Sequence, residues 1–307
     1  LCPAGLLPLC SRVWGSGARE RAGLPPAQRR AFSNNKMLVE LDEGSGVATV
    51  KFKSPPVNSL SLDFLTELSI GLEKLENNRG CRAVIFTSAV PKIFSAGLDV
   101  TEMCGKSTEH YAEFWRVVQN IWLRLYGSNM VTVAAINATG KTGLTWALCL
   151  WQGSSPAGGC LLALSCDYRI MADNPKFVIG LNESQLGIVA PFWFKDTFVN
   201  VVGHRIAERS LQLGSLHSAP EALQLGIVDE LVPEEKLQDK AAAVVAQWLA
   251  LPDHARQITK SMMRKSVLDR LLTHQEEDVQ NFVGFISKES IQKSLRMYME
   301  MLKKRKG

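Results

Sequence analysis

Apolar positions recur along this chain at two spacings, and each spacing predicts an element. Residues 47–52 (Val47-Ala48-Thr49-Val50-Lys51-Phe52) alternate as a half-buried strand does. Pro55-Pro56 turns the chain, and Ser61 stands where an N-cap would, ahead of Leu65, Leu68, Leu72 and Leu75 on one helical face. A second unit follows. Residues 82–88 hold the uninterrupted apolar centre Ala83-Val84-Ile85-Phe86, which predicts a strand covered on both faces, and residues 94–99 read as a glycine-containing turn into another helix. A third unit starts with the apolar, β-branched run at residues 130–135. Repeated strand-then-helix units imply an α/β architecture. From Glu234 onward the period is helical only, over 234–251, 255–272 and 276–306, so a helical carboxy-terminal region, 234–307, is expected behind a core at 34–233.

Composition narrows the picture. With 307 residues, 46% hydrophobic and 21% charged, the chain can bury a large core, which excludes disorder throughout. The net charge of +5 gathers at the two ends. Lys303, Lys304, Arg305 and Lys306 read as a solvated helix end, where cations suit the macrodipole, and no nucleic-acid footprint is expected. Residues 1–33 hold Arg12, Arg19, Arg21, Arg29 and Arg30 against one acid, Glu20, as a mitochondrial transit peptide does; the fold should then start near Phe32, in a matrix protein. Cys81, Cys104, Cys149, Cys160 and Cys166 show no CxxC spacing and no histidine cluster, so neither a disulfide framework nor a metal site is expected. No apolar run approaches the length of a membrane span.

One motif suggests a nucleotide. Ala135-x-x-x-x-Gly140-Lys141-Thr142 has P-loop spacing and follows a strand-like run. No apolar strand ending in aspartate offers the second half of such a site, and Lys141 reads as a loop lysine.

A longer set of motifs carries a resemblance. In order, these are Phe94-Ser-Ala-Gly-Leu-Asp-Val-Thr-Glu-Met103, Ala135-Ile-Asn137, Pro156-Ala-Gly-Gly-Cys160, Cys166-Asp-Tyr-Arg-Ile-Met-Ala172, Gly180-Leu-Asn-Glu183 and Leu186-Gly-Ile188. Together they resemble the crotonase (enoyl-CoA hydratase/isomerase) superfamily, and within it the isomerase branch. The resemblance implies a spiral of ββα turns, a helical trimerisation region, a homotrimer, an acyl-CoA thioester substrate and no cofactor beyond the CoA that the substrate carries.

Moving a double bond from C3 to C2 of a thioester needs a base for the C2 proton, an oxyanion hole for the enolate and a proton returned at C4. By resemblance the base is Glu183 and the oxyanion donors are the N–H groups of Leu98 and Gly158. Ala96, Gly97, Asp99, Val100 and Asn182 are expected beside the substrate. Hydratases of this superfamily carry a second glutamate directly after the Gly-Gly-Cys turn, where this chain has Leu161. An apolar residue there favours isomerisation over hydration. Phe114, Trp115, Trp122, Phe192 and Trp193 are candidates for the acyl pocket, most of them expected in the core.

The chain departs from the family pattern at one place. Eighteen residues, 138–155, separate Asn137 from Pro156 where about three suffice in the family, and the P-loop lookalike straddles the start of this surplus. An extra segment at about 139–155 either loops out over the surface or disturbs the turn that aims the Gly158 N–H. Three function classes stay open at this stage: an enoyl-CoA isomerase, a crotonase-fold protein with impaired catalysis, and a P-loop nucleotide-binding protein.

Overall fold

The computed structural model describes residues 29–137 and 155–304. A seven-stranded sheet runs in the order β1-β2-β3-β4-β5-β7-β10, formed by β1 (Arg29–Ser33), β2 (Met37–Asp42), β3 (Val47–Phe52), β4 (Ala83–Ser88), β5 (Val131–Ile136), β7 (Tyr168–Ala172) and β10 (Glu230–Val232). β1, β2 and β3 pair antiparallel, and every pair from β3 to β10 is parallel. A smaller sheet joins β6 (Ser155–Pro156), β8 (Val178–Gly180) and β9 (His217–Ser218). Later turns of the chain thus place one strand in each sheet before a helix, which is the ββα spiral of the crotonase fold. The first described strand, β1, occupies 29–33, around Phe32, and pairs with β2 along its whole length.

The fully buried strands have a simple cause. Along β4, Val84 and Phe86 join the main core while Ala83 and Ile85 join a second one on the opposite face. The main core takes the inner face of α1 (Leu62–Glu76), whose N-cap Ser61 accepts from the Phe64 N–H, and most of α2 (Thr108–Tyr126). Each of Leu65, Leu68, Leu72 and Leu75 is at most 2% exposed, and burying one such side chain stabilises by roughly 1.5–3 kcal/mol. The second core takes Leu237, Ala241, Val244 and Val245 from α7 (Leu237–Leu249). The expected boundary at 233/234 is therefore not a break in packing, since α7 covers the sheet.

The carboxy-terminal helices differ from expectation in where they break. α8 runs Asp253–Ile286 with a kink at His274 (φ −113°, ψ 18°), and α9 runs Glu289–Lys304. The His274 Nδ1–H donates to the Arg270 carbonyl, so a side chain intrudes on the helical ladder where it bends. Helices α3 (Gly158–Ser165), α4 (Phe192–Val202), α5 (His204–Leu213) and α6 (Ala219–Gln224) complete the fold. Among the described residues no helix is long and apolar enough to cross a membrane, and no group of side chains could hold a metal ion. Cys81, Cys104, Cys160 and Cys166 are free thiols. Cys149, Lys141, Gly140, Thr142 and the rest of 138–154 lie outside the described residues, as do 305–307.

Candidate active site

Two loops line a cavity of about 360 Å³. The first carries Leu98. Leu60 N–H donates to Gly97 O and Asp99 N–H to Leu60 O, at 2.9 and 3.2 Å, so residues 97–99 are strapped to Leu60 as a parallel bridge. In such a bridge the intervening residue aims its own amide away from the strap. The Leu98 N–H accordingly donates to no acceptor among the described residues.

The second loop carries Gly158. Ser155 and Pro156 pair with Ile179 and Gly180, and Ala157 N–H donates to Gly180 O at 2.8 Å. Ala157 adopts φ 48°, ψ −123°, a conformation that costs a residue with a side chain on the order of 1–3 kcal/mol. That turn starts α3 with Gly158 at its first position, where a helical amide has no partner in its own helix. The two amides are neighbours. A Cβ on Gly97, whose φ is +87°, would sit 2.9 Å from Gly158 N and 3.0 Å from Pro156 O. One on Gly158 would sit 3.1 Å from Leu98 N. Both glycines permit the close approach of two backbones, leaving a pair of preset N–H donors at the amino end of a helix, where negative charge is favoured.

Glu183 enters the same cavity from the 3₁₀ turn Glu183–Leu186. It is 9% exposed, and neither carboxylate oxygen has a hydrogen-bond partner among the described residues. Burial pushes its carboxyl from the usual range up to about 7. The buried Cys160 thiol is raised too, first by burial and then by the charge of Glu183. Asn182 also lines the cavity, with its Oδ1 buried and unpartnered among the described residues.

Of the residues expected at the site, Ala96, Leu98, Val100, Gly158, Asn182 and Glu183 line the cavity, whereas Gly97 and Asp99 do not. Gly97 makes room for Gly158. The Asp99 carboxylate caps the following 3₁₀ turn, accepting from Thr101 N at 2.9 Å and Thr101 Oγ1 at 2.7 Å. Leu161 is 5% exposed and packs with Leu60, Leu65 and Leu98 around a separate small void of about 20 Å³. Phe114, Trp122 and Trp193 are core residues, and Trp115 lines the cavity. Residues 138–154 lie outside the described residues, but the chain on either side of them is anchored. Asn137 Oδ1 accepts from Ser88 N at 2.8 Å, and β6 resumes in the small sheet.

The far wall comes from helices whose role the sequence did not disclose. Asp278, Asn281, Phe282 and Phe285 of α8 and Tyr298 of α9 all line the cavity. Their α8 positions follow the spacing i, i+3, i+4, i+7, so one acid within an otherwise apolar and amide stripe was the available signal. Among the described residues, none of the lining side chains is basic.

Residues 42–306 match the sequence profile of the family described as Enoyl-CoA hydratase/isomerase. The chain belongs to this family. It is 60% identical over 291 residues to "Enoyl-CoA delta isomerase 1, mitochondrial" of Homo sapiens, spanning 95% of this chain and 91% of that protein. The Mus musculus protein of the same name is 58% identical over 293 residues, spanning 95% of this chain and 96% of the relative. The crystal structure of human mitochondrial delta3-delta2-enoyl-CoA isomerase superposes with a TM-score of 0.83 at 62% identity, covering 89% of this chain and all of that one. A family member from Bacillus halodurans, an enoyl-CoA hydratase, shares the fold at 19% identity with a TM-score of 0.70, covering 88% of this chain and 99% of that one.

Proposed function

We propose that this protein isomerises 3-cis- and 3-trans-enoyl-CoA to 2-trans-enoyl-CoA in the β-oxidation of fatty acids. The observation that carries this reading is one cavity holding two preset amides, at Leu98 and Gly158, beside the buried carboxylate of Glu183, none of them with a partner among the described residues. The thioester oxygen sits between the two N–H groups. Glu183 takes a proton from C2, the amides hold the enolate oxygen, and the protonated Glu183 returns the proton at C4. A carboxyl near 7 suits both halves of that exchange, because neither the protonated nor the ionised form is greatly favoured at neutral pH. Leu161 supplies no second carboxylate to activate water, which favours isomerisation over hydration. Proton transfer and hydrogen bonds are sufficient chemistry, so no cofactor is required beyond the CoA of the substrate.

The mitochondrial names of the human and mouse relatives support a place in the matrix. The family resemblance and the exposed apolar side chains of Ile258, Met262 and Met263 on α8, with Leu251 before it, support a homotrimer. Sedimentation at the mass of a single chain would overturn the trimer. For the activity, the chain from Arg29 onward is given 3-hexenoyl-CoA beside a version lacking 139–153. Formation of the 2-trans-enoyl thioester by both is expected. Turnover by the shortened version alone would make the extra segment inhibitory, and silence in both would overturn the isomerase.

A further inference from the structure

We infer that Asp278 sets the acyl-length preference of this cavity, its charge being the barrier that a long chain meets. The inference rests on the function proposed above in one respect, that the acyl chain occupies this cavity. Asp278 is 8% exposed and lines the cavity wall. Its Oδ2 accepts three N–H donors, from Trp115 Nε1 at 2.8 Å, Gln119 Nε2 at 2.7 Å and Trp193 Nε1 at 3.1 Å. These donors tie α8 to α2 and α4 through a single atom. Oδ1 takes no hydrogen bond from the described residues, and no lysine or arginine among them lines the cavity to neutralise it.

The surroundings make this carboxylate conspicuous. Trp115 and Phe282 stack beside it, with centroids 3.9 Å apart and planes 4° from parallel, and Phe194 and Phe285 continue the apolar wall. Such a wall rewards each added methylene of an acyl chain with buried area. A chain long enough to cover Asp278 must instead strip water from Oδ1, the carboxylate oxygen to which no described side chain donates. A short chain ends before that point and leaves the carboxylate hydrated. The α8 kink at His274 precedes Asp278 by about one turn, and Asp278, Asn281, Phe282 and Phe285 beyond it line the cavity.

The test measures Kd by calorimetry for saturated acyl-CoAs from butanoyl to dodecanoyl, with 3-hexenoyl-CoA turnover measured alongside. For the wild type, affinity should rise with chain length and then stop rising or fall. A steady gain through dodecanoyl-CoA overturns the proposal without any variant being needed. Asp278→Asn keeps an oxygen for the indoles and removes the charge. It should tighten dodecanoyl-CoA about tenfold relative to hexanoyl-CoA. Gln119→Met removes one of the three donors without touching the cavity and should leave that ratio within about twofold. An unchanged ratio in Asp278→Asn, or an equal change in Gln119→Met, assigns Asp278 a merely structural part and overturns the inference. Absent turnover with the expected affinities would overturn the isomerase reading alone.

Discussion

Replacing Glu183 with glutamine should make the protein more stable and less active at once. The carboxylate has lost its water without gaining a partner among the described residues, and its carboxyl stands at about 7 against an ordinary 4.5. A folded-state value above the unfolded one means that the folded chain holds the proton more tightly. Its contribution is neutral below about 4.5, grows steadily against folding as pH rises from there to about 7, and levels off above that. The shift between those two values corresponds to about 3 kcal/mol of destabilisation, fully present above neutrality. Glutamine keeps the shape and does not titrate, although its buried amide retains a smaller desolvation cost. In urea unfolding the advantage of Glu183→Gln should therefore be slight at about pH 5 and approach 3 kcal/mol at about pH 8. Loss of the base should lower kcat at least about a hundredfold. The wild-type kcat/KM should fall as pH drops through about 7, where Glu183 takes up its proton. An advantage that does not grow with pH would refute the account of a buried, ionisable Glu183, and full activity in the variant would refute its role as base.

Gly97→Ala places a methyl 2.9 Å from Gly158 N and 3.0 Å from Pro156 O, both backbone atoms, at a φ of +87°, so Gly158 must move. A displaced oxyanion donor should lower kcat by about a hundredfold or more, and a variant that loses melting temperature but keeps kcat would contradict this. Asp167→Ala strands Lys260 and Arg264, which pair with that buried carboxylate at 2.8 and 3.0 Å, and urea unfolding should show a loss of about 3–5 kcal/mol. A loss under about 1 kcal/mol would mean that solvent already screens the cluster. Leu161→Glu puts a carboxylate where hydratases carry one, but among Leu60, Leu65 and Leu98. Chromatography of the products should find slight 3-hydroxyacyl-CoA formation at most, and hydration rivalling isomerisation would show that Leu161 alone decides between the reactions.

The sequence by itself determined whatever depends on near neighbours. Alternation at 47–52, the Ser61 cap and the leucine stripe of α1 are local patterns, and they appear in the fold at the expected residues. Ala83-Val84-Ile85-Phe86 announced burial on both faces because each face meets its own core. Leu98, Gly158 and Glu183 were legible as candidates because the short motifs that hold them resemble those of the family.

Other features needed the tertiary structure. Asp99 shares the motif of Leu98 yet spends its carboxylate on Thr101, a choice between two hydrogen bonds that spacing does not record. Leu98 and Gly158 become a pair only because Gly97 lets two loops far apart in sequence approach within a backbone contact. The far wall depended most on long-range packing. Asp278 looks in sequence like any solvated acid on a helix. Three N–H donors from α2 and α4 hold it in the cavity wall, and burial by distant elements is what turns a common surface residue into one able to shape the site.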